Sequence, residues 1–407
     1  MTAARSSSPI SSFPAGSAVP GVGITRLTLT AFRSYSRLRL DLERRPVVLT
    51  GANGAGKTNL LEALSFLAPG RGLRGAKLTT VGQTAIGPAL VNDESRTPQP
   101  WAVAAVLATD QGPVELASGI DPLKPTRRVV RIDDMPAKGA AALGRQLGVI
   151  WLTPAMDRLF LDSPGSRRLF LDRLVTAFDP DHAGRVAAYE RGTRQRARLL
   201  RDRAGDPIWY NALEDTMARY GVALAAARRD LVNRLNAEFG RVSGPFPVAA
   251  LTLIGVVDRW LTEMPAVDVE DALRAALRDE RRLTPGDVAT AGPHRSDLAA
   301  TMVVPGHPSH GQAAALCSTG EQKALLISIL LATARLQKAK RNHAPLLLLD
   351  EVAAHLDNDR RLALFREIRA LGAQAWMTGT DAALFEGLGD DAQFFTVDNA
   401  RLTLRSP

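Results

Sequence analysis

Apolar and polar residues alternate through Ile24-Thr25-Arg26-Leu27-Thr28-Leu29 and again through Leu38-Arg39-Leu40-Asp41-Leu42. A period of two turns one face of each segment toward a core, so the pattern predicts an antiparallel strand pair. Val47-Val48-Leu49-Thr50 is a short apolar strand that runs straight into Gly51. Shorter β-like runs at Trp101 to Thr109, Val114 to Ile120 and Arg128 to Ile132, separated by Gly, Pro and Asp, predict an antiparallel meander joined to the main sheet. From about residue 163 to 283 the period becomes helical, with Met217, Leu224, Leu231, Leu235 and Phe239 on one face at spacings of seven and four. That stripe is too short for a long coiled coil and predicts a compact arm. After Arg282 strand-like sequence resumes, so the chain reads as an α/β head split by an inserted helical domain. The expected division is a disordered tail over 1–22, the first part of the head over 23–162, the helical arm over 163–283 and the rest of the head over 284–407.

The turn after the apolar strand carries the first chemistry. Gly51-Ala52-Asn53-Gly54-Ala55-Gly56-Lys57-Thr58 matches G-x-x-x-x-G-K-[S/T], between a strand and a helix expected to start near Thr58. Glycines let backbone N–H groups curl around phosphate oxygens, and a helix N-terminus adds positive potential. The loop from Gly51 through Asn59 is therefore the expected cradle for ATP. Lys57 is expected to neutralise the β- and γ-phosphates, and the Thr58 hydroxyl to ligate Mg²⁺.

Asp350 lies 292 residues after Thr58, at the end of the apolar run Pro345-Leu346-Leu347-Leu348-Leu349, and Glu351 follows it. Two carboxylates at a strand end are the Walker B form. Asp350 is expected to hold the Mg²⁺ hydration shell and Glu351 to polarise the attacking water. Small GTPases and nucleotide kinases keep these elements much closer together, so the spacing favours a split head.

Leu316-Cys317-Ser318-Thr319-Gly320-Glu321-Gln322-Lys323, ahead of a long helix, resembles the signature motif of ABC ATPases. The resemblance implies that Ser318 and the N–H groups around Gly320 meet the γ-phosphate held by a second copy of the chain. ATP would then join a head-to-tail homodimer. Ala354-His355-Leu356-Asp357 is similar to the D-loop that crosses such an interface, and Thr378-Gly379-Thr380-Asp381 sits where the class places a γ-phosphate sensor. The Mg²⁺-sensing glutamine of the class has no counterpart; the corresponding stretch is Thr153-Pro154-Ala155-Met156-Asp157.

Four further segments resemble the RecF family of bacterial repair proteins. They are Leu29 to Tyr35, Ser163 to Asp172, Tyr189 to Leu200, and Gly292-Pro293-His294-Arg295-Ser296-Asp297. The first is similar to the family's opening strand motif, the second and third to the start of its arm, and the fourth to its return to the head. His355 departs from the acidic residue usual before the Leu-Asp of the family's D-loop. The resemblance implies an ABC-type P-loop ATPase head with an antiparallel β lobe and an inserted helical arm. It implies a weak DNA-dependent ATPase that dimerises with ATP on DNA, prefers gapped or single-strand to double-strand junctions, and helps RecR and RecO load RecA. The nucleotide-binding subunit of an ABC transporter is the alternative, and it would lack the helical insertion.

Composition adds limits. With 407 residues, 45% of them hydrophobic, the chain is long enough to bury one large core and a second, and no apolar run approaches a membrane span. The first twenty residues are rich in Ser, Pro, Ala and Gly and lack the apolar core of a signal peptide. A single cysteine, Cys317, fits a reducing cytoplasm. The net charge of +9 favours polyanionic partners, and Arg191, Arg194, Arg196, Arg198, Arg201 and Arg203 are candidates either for phosphate contacts or for a solvated helix face.

Overall fold

The computed structural model describes residues 21–83, 99–202, 206–240, 245–282, 291–304, 306–354 and 356–405. The expected N-terminal tail, the 283/284 boundary, Arg203 and His355 lie wholly or largely outside them.

The chain opens with β1 (Gly23–Phe32) and β2 (Tyr35–Asp41), then β3 (Val47–Thr50), the glycine loop and α1 (Lys57–Ser65). The meander follows as β4 (Ala102–Thr109), β5 (Gly112–Asp121), β6 (Lys124–Ile132) and the short β7 (Met135–Pro136). α2 (Ala141–Gln146) leads to β8 (Val149–Leu152). The arm holds α3 (Pro164–Phe178), α4 (His182–Asp202) and α5 (Pro207–Phe239). β9 (Val248–Ile254), α6 (Val256–Glu263), α7 (Ala266–Asp279) and β10 (Asp297–Val303) lead back to α8 (Thr319–Arg341) and β11 (Leu346–Leu349). The chain finishes with α9 (Asn358–Leu371), β12 (Ala375–Gly379), β13 (Gln393–Asp398) and β14 (Arg401–Arg405).

Two six-stranded sheets sandwich α1. The first is antiparallel, in the order β2-β1-β4-β5-β6-β7; the second runs β14-β13-β3-β12-β11-β8 and is parallel from β13 to β8. β3 is buried along its whole length, as a strand flanked on both edges and both faces must be. The apolar face of the first sheet meets α1 through Phe32, Phe66 and Trp101, whose rings pack edge-on and tilted at 4.8 to 5.9 Å. Arg128 on β6 is drawn into this junction, over the Phe66 ring, where burial lowers its pKa to about 10.

The helical stretch expected over 163–283 contains a strand. Val248 to Ile254 alternates in burial and pairs antiparallel with β10 in a separate two-stranded sheet. The long helix periodicity that precedes it hides so short a period-two segment. All five residues of the predicted α5 stripe are buried, but in two places: Leu231, Leu235 and Phe239 join the head core, whereas Met217 and Leu224 belong to a smaller core with α7. One helix therefore spans both cores.

Candidate nucleotide site

The glycine loop connects the C-terminal end of β3 to the N-terminus of α1, with β12 and β13 on either side of β3. Its crest, Ala52 to Gly54, is exposed, and its flanks are braced by the C-terminal hairpin. Gly51 has φ +148°, and a Cβ there would stand 2.1 Å from the carbonyl oxygen of Val397. Gly56 has φ +113°, and its Cβ would press on the Tyr35 hydroxyl. Both positions exclude a side chain on conformation and on space. The Tyr35 hydroxyl donates to the Gly56 carbonyl at 3.1 Å, and the Ala400 N–H donates to Ala55 at 2.9 Å.

Lys57 folds back over the loop and donates to the carbonyls of Gly51 at 2.6 Å and Ala52 at 2.9 Å. Burial lowers its pKa against the opposing pull of Glu351 and Asp350. Thr58 donates to Asp350 Oδ1 at 3.0 Å across a sequence separation of 292. Asn59 is held by Ser34 at 2.9 Å and by Arg74 at 2.8 Å. Behind them, fully buried Glu62 pairs with Arg33 at 2.7 Å and Arg74 at 2.8 Å, fixing the first strand turn against α1.

Asp350 and Glu351 follow β11, which lies between β8 and β12. The Thr378 hydroxyl donates to Asp350 Oδ1 at 2.7 Å and accepts the Glu351 N–H at 2.8 Å. Glu351 needs that anchor, because its φ of +49° is unfavourable for a residue with a side chain. Thr378 is fully buried with its hydroxyl committed to both carboxylate residues, so it positions them. Thr58 and Asp350 together present hard oxygen donors suited to Mg²⁺, beside a lysine suited to phosphate.

Ser318 and Gly320 stand at the N-terminus of α8. Ser318 is exposed and forms a capping box with Glu321, its N–H donating to the carboxylate at 2.7 Å. Donors from Ser318 and Ser309 hold the Glu321 pKa at about 2. From the next turn, buried Lys323 donates to the carbonyls of Ala354 at 2.7 Å and Glu351 at 3.2 Å, and lies 3.6 Å from Asp157. Sequence reasoning quoted Lys323 without a role, although a lysine on an otherwise apolar helix face was the available signal. It ties the signature helix to both the Walker B end and the 153–157 segment.

The sequence pattern of the RecF/RecN/SMC N-terminal domain family matches residues 23–401. The DNA replication and repair protein RecF of Rhizobium rhizogenes strain K84 is 47% identical over 387 residues, covering 94% of this chain and 98% of the relative. The chain belongs to the RecF family. The same protein of Rhizobium meliloti strain 1021 is 44% identical, over 94% of this chain and 99% of its own length. Among solved structures, the recombination mediator protein RecF-ATPrS of the RecFOR pathway matches with a TM-score of 0.77 at 18% identity, covering 95% of this chain and 99% of the other. RecF-ATP of that pathway gives 0.74 at 19%, with the same coverage. At these identities the likeness establishes the fold, an ABC-type ATPase head with an antiparallel β lobe and a helical arm. Membership of RecF leaves the transporter alternative without support. Among the described residues, no helix is long and apolar enough to cross a membrane.

In this RecF-family chain the segment from Ser163 is a structural joint. Ser163 occupies the N-cap of α3 without a side-chain capping bond, and Pro164 fills the first turn. Arg167 pairs with Asp297 at 2.7 Å, and Arg168 donates to the Ser296 carbonyl at 2.7 Å, bracing the arm to the returning strand. Asp172 accepts from Arg228 at 2.7 Å and contacts His182 at 2.8 Å; burial opposes its charge, but these partners hold its pKa below the ordinary carboxylate value. Tyr189 meets His294 Nδ1 at 2.7 Å. Of the candidate phosphate-binding arginines, Arg196 is buried and paired with Glu214 at 2.9 Å, which removes it from that role. Arg191, Arg194, Arg198 and Arg201 are exposed.

Proposed function

We propose that the chain is a RecF-type DNA repair ATPase in which ATP acts first as an assembly switch. The observation that carries this reading is the convergence of Lys57, Thr58, Asp350 and Glu351 beyond the C-terminal ends of β3 and β11 in a head that belongs to the RecF family. Lys57 binds the β- and γ-phosphates from its place over the loop, and the N–H groups from Gly51 to Asn59 surround them. Thr58 and Asp350 hold Mg²⁺, which when bound supplies charge neutralisation at the phosphates. Glu351 orients and deprotonates the attacking water, its carboxylate aimed by the Thr378 anchor.

Ser318 is exposed and Gly320 beside it is half-buried, open enough to serve a second copy of the chain. The nucleotide is thus sealed between two head-to-tail protomers, and slow hydrolysis opens the homodimer. DNA, gapped or at a single-strand to double-strand junction, is the platform, with RecR and RecO as partners in loading RecA and the cytoplasm as the compartment. The head parts are 23–162 and 284–407, with 163–283 as the arm.

The test compares binding to gapped, single-stranded and blunt duplex DNA with and without ATP at fixed salt. ATP-dependent binding strongest on gapped DNA is expected, and its absence on every substrate rejects the reading. Ser318→Ala should retain ATP binding and lose ATP-dependent dimerisation. Glu351→Gln should accumulate the ATP-bound dimer on DNA; turnover at the parental rate would exclude Glu351 as the base.

A further inference from the structure

The antiparallel sheet is covered on one side only. Leu27, Val103 and Leu116 point to the head and are fully buried, whereas the neighbouring Thr28, Ala104 and Ala117 retain exposure. The strand registers set these outward residues in rows. Arg39 on β2 lies opposite Thr28, Thr28 opposite Ala104, Ala104 opposite Ala117, and Ala117 opposite Arg131 on β6. The adjacent row begins with Arg37 and runs through Thr30, Ala102 and Gly119 to Val129. Each row has a floor of small side chains. Four strand spacings separate its ends, so the backbones of Arg39 and Arg131 stand about 19 Å apart.

Both margins are basic. The Arg39 and Arg131 side chains are 59% and 50% exposed, and Arg37 and Arg127 are exposed beside them. Their acidic neighbours are loose: Arg39 is 3.6 Å from Asp41, and Arg131 is 3.8 Å from Asp134. Such exposed pairs are worth little and exchange readily for a phosphate. The other end of the face carries Asp41, Glu115 and Asp133, so its positive charge is concentrated toward the Arg37 row.

We propose that this face is a seat for double-stranded DNA, with Arg37 and Arg39 contacting one phosphate backbone and Arg127 and Arg131 the other. The proposal rests on the DNA-binding reading above and assigns that binding to a surface. The margins are separated by the width of a duplex, more than a single strand spans. The small floor lets the polyanion approach closely. Neither row carries an aromatic side chain on which unpaired bases would stack, the usual device for holding a single strand. Arginines that meet only phosphates position the duplex and read no sequence. The exposed arm arginines Arg194 and Arg198 have equally loose acidic neighbours, Glu190 and Asp202, but lie along one helix with no facing basic margin, and they serve as the comparison in the test.

The test is salt-dependent binding of a blunt duplex and of a single strand, with ATP and Mg²⁺ present. It compares the parental chain, an Arg37→Gln/Arg39→Gln/Arg127→Gln/Arg131→Gln variant and an Arg194→Gln/Arg198→Gln/Arg201→Gln variant. Each lost phosphate contact removes about 0.9 from the slope of log affinity against log salt, so the sheet variant should lose about 3 to 4 on duplex. Duplex affinity should fall more than tenfold, while ATP binding, the thermal midpoint and single-strand binding stay at parental values. The arm variant should keep the parental slope. A parental duplex slope in the sheet variant overturns the seat, as does an equal loss of single-strand binding or transfer of the slope change to the arm variant. If the parental chain binds no DNA, the DNA-binding reading itself fails.

Discussion

Replacing Thr378 with valine keeps a β-branched side chain of similar shape in a fully buried site and deletes one hydroxyl. That hydroxyl donates to Asp350 at 2.7 Å and accepts from the Glu351 N–H at 2.8 Å. An orphaned buried N–H costs about 1–3 kcal/mol and a lost bond to a charged group about 1.5–3 kcal/mol. Asp350 keeps its bond from Thr58 at 3.0 Å, so the second loss is partly offset. We expect a net destabilisation of about 3 kcal/mol. Urea unfolding monitored on parental protein, Thr378→Val and Thr378→Ser would measure it, with serine expected near parental because it retains the oxygen. The left-handed conformation at Glu351 stores strain of about 1–3 kcal/mol that the lost bond helped to hold. Its release should move the carboxylate and lower ATP turnover roughly tenfold, a barrier change of about 1.4 kcal/mol, with ATP affinity little changed. A valine variant with a parental urea midpoint and parental turnover would refute the assignment of Thr378 as the anchor.

Lys323→Met should lower ATP turnover several-fold while equilibrium ATP binding persists, because it frees the Glu351 and Ala354 carbonyls without touching the phosphate loop; steady-state turnover beside nucleotide titration checks this. The Glu321 pKa is about 2 when folded against 4.5 as a free side chain, so the carboxylate stabilises the fold above about pH 4.5 and loses that contribution as pH falls toward 2. Glu321→Gln should therefore flatten the acid side of a plot of thermal midpoint against pH. Arg196→Ala should destabilise the arm by about 3–5 kcal/mol by leaving buried acids short of a cation, seen as loss of helical signal at lower denaturant.

Local rules were enough to read the phosphate loop, the strand before it and the apolar strand before Asp350. In each, the backbone needs glycine or the strand needs continuous apolar residues, and both demands are written in consecutive positions. The meander was legible for the same reason, since period-two burial on a one-sided sheet leaves its mark strand by strand. β9 was not legible, because seven residues of alternation next to a 33-residue helix carry too little signal. Nor was Arg196 distinguishable from the exposed arginines beside it. Its partners Glu214 and Glu280 reach it only when α4, α5 and the end of α7 pack together.

Sequence alone thus pointed to the residue types expected to bear the chemistry, since phosphate cradling and metal binding require them at short, rigid spacings. Tertiary structure decided which groups aim them. Thr378 proved to be an anchor of the carboxylates, Lys323 a tie between the signature helix and Glu351, and a row of arginines became a paired margin only through the registers of five strands. Those contacts join residues tens to hundreds of positions apart, and no local period or composition encodes which distant partner a buried hydroxyl, ammonium or strand edge will meet.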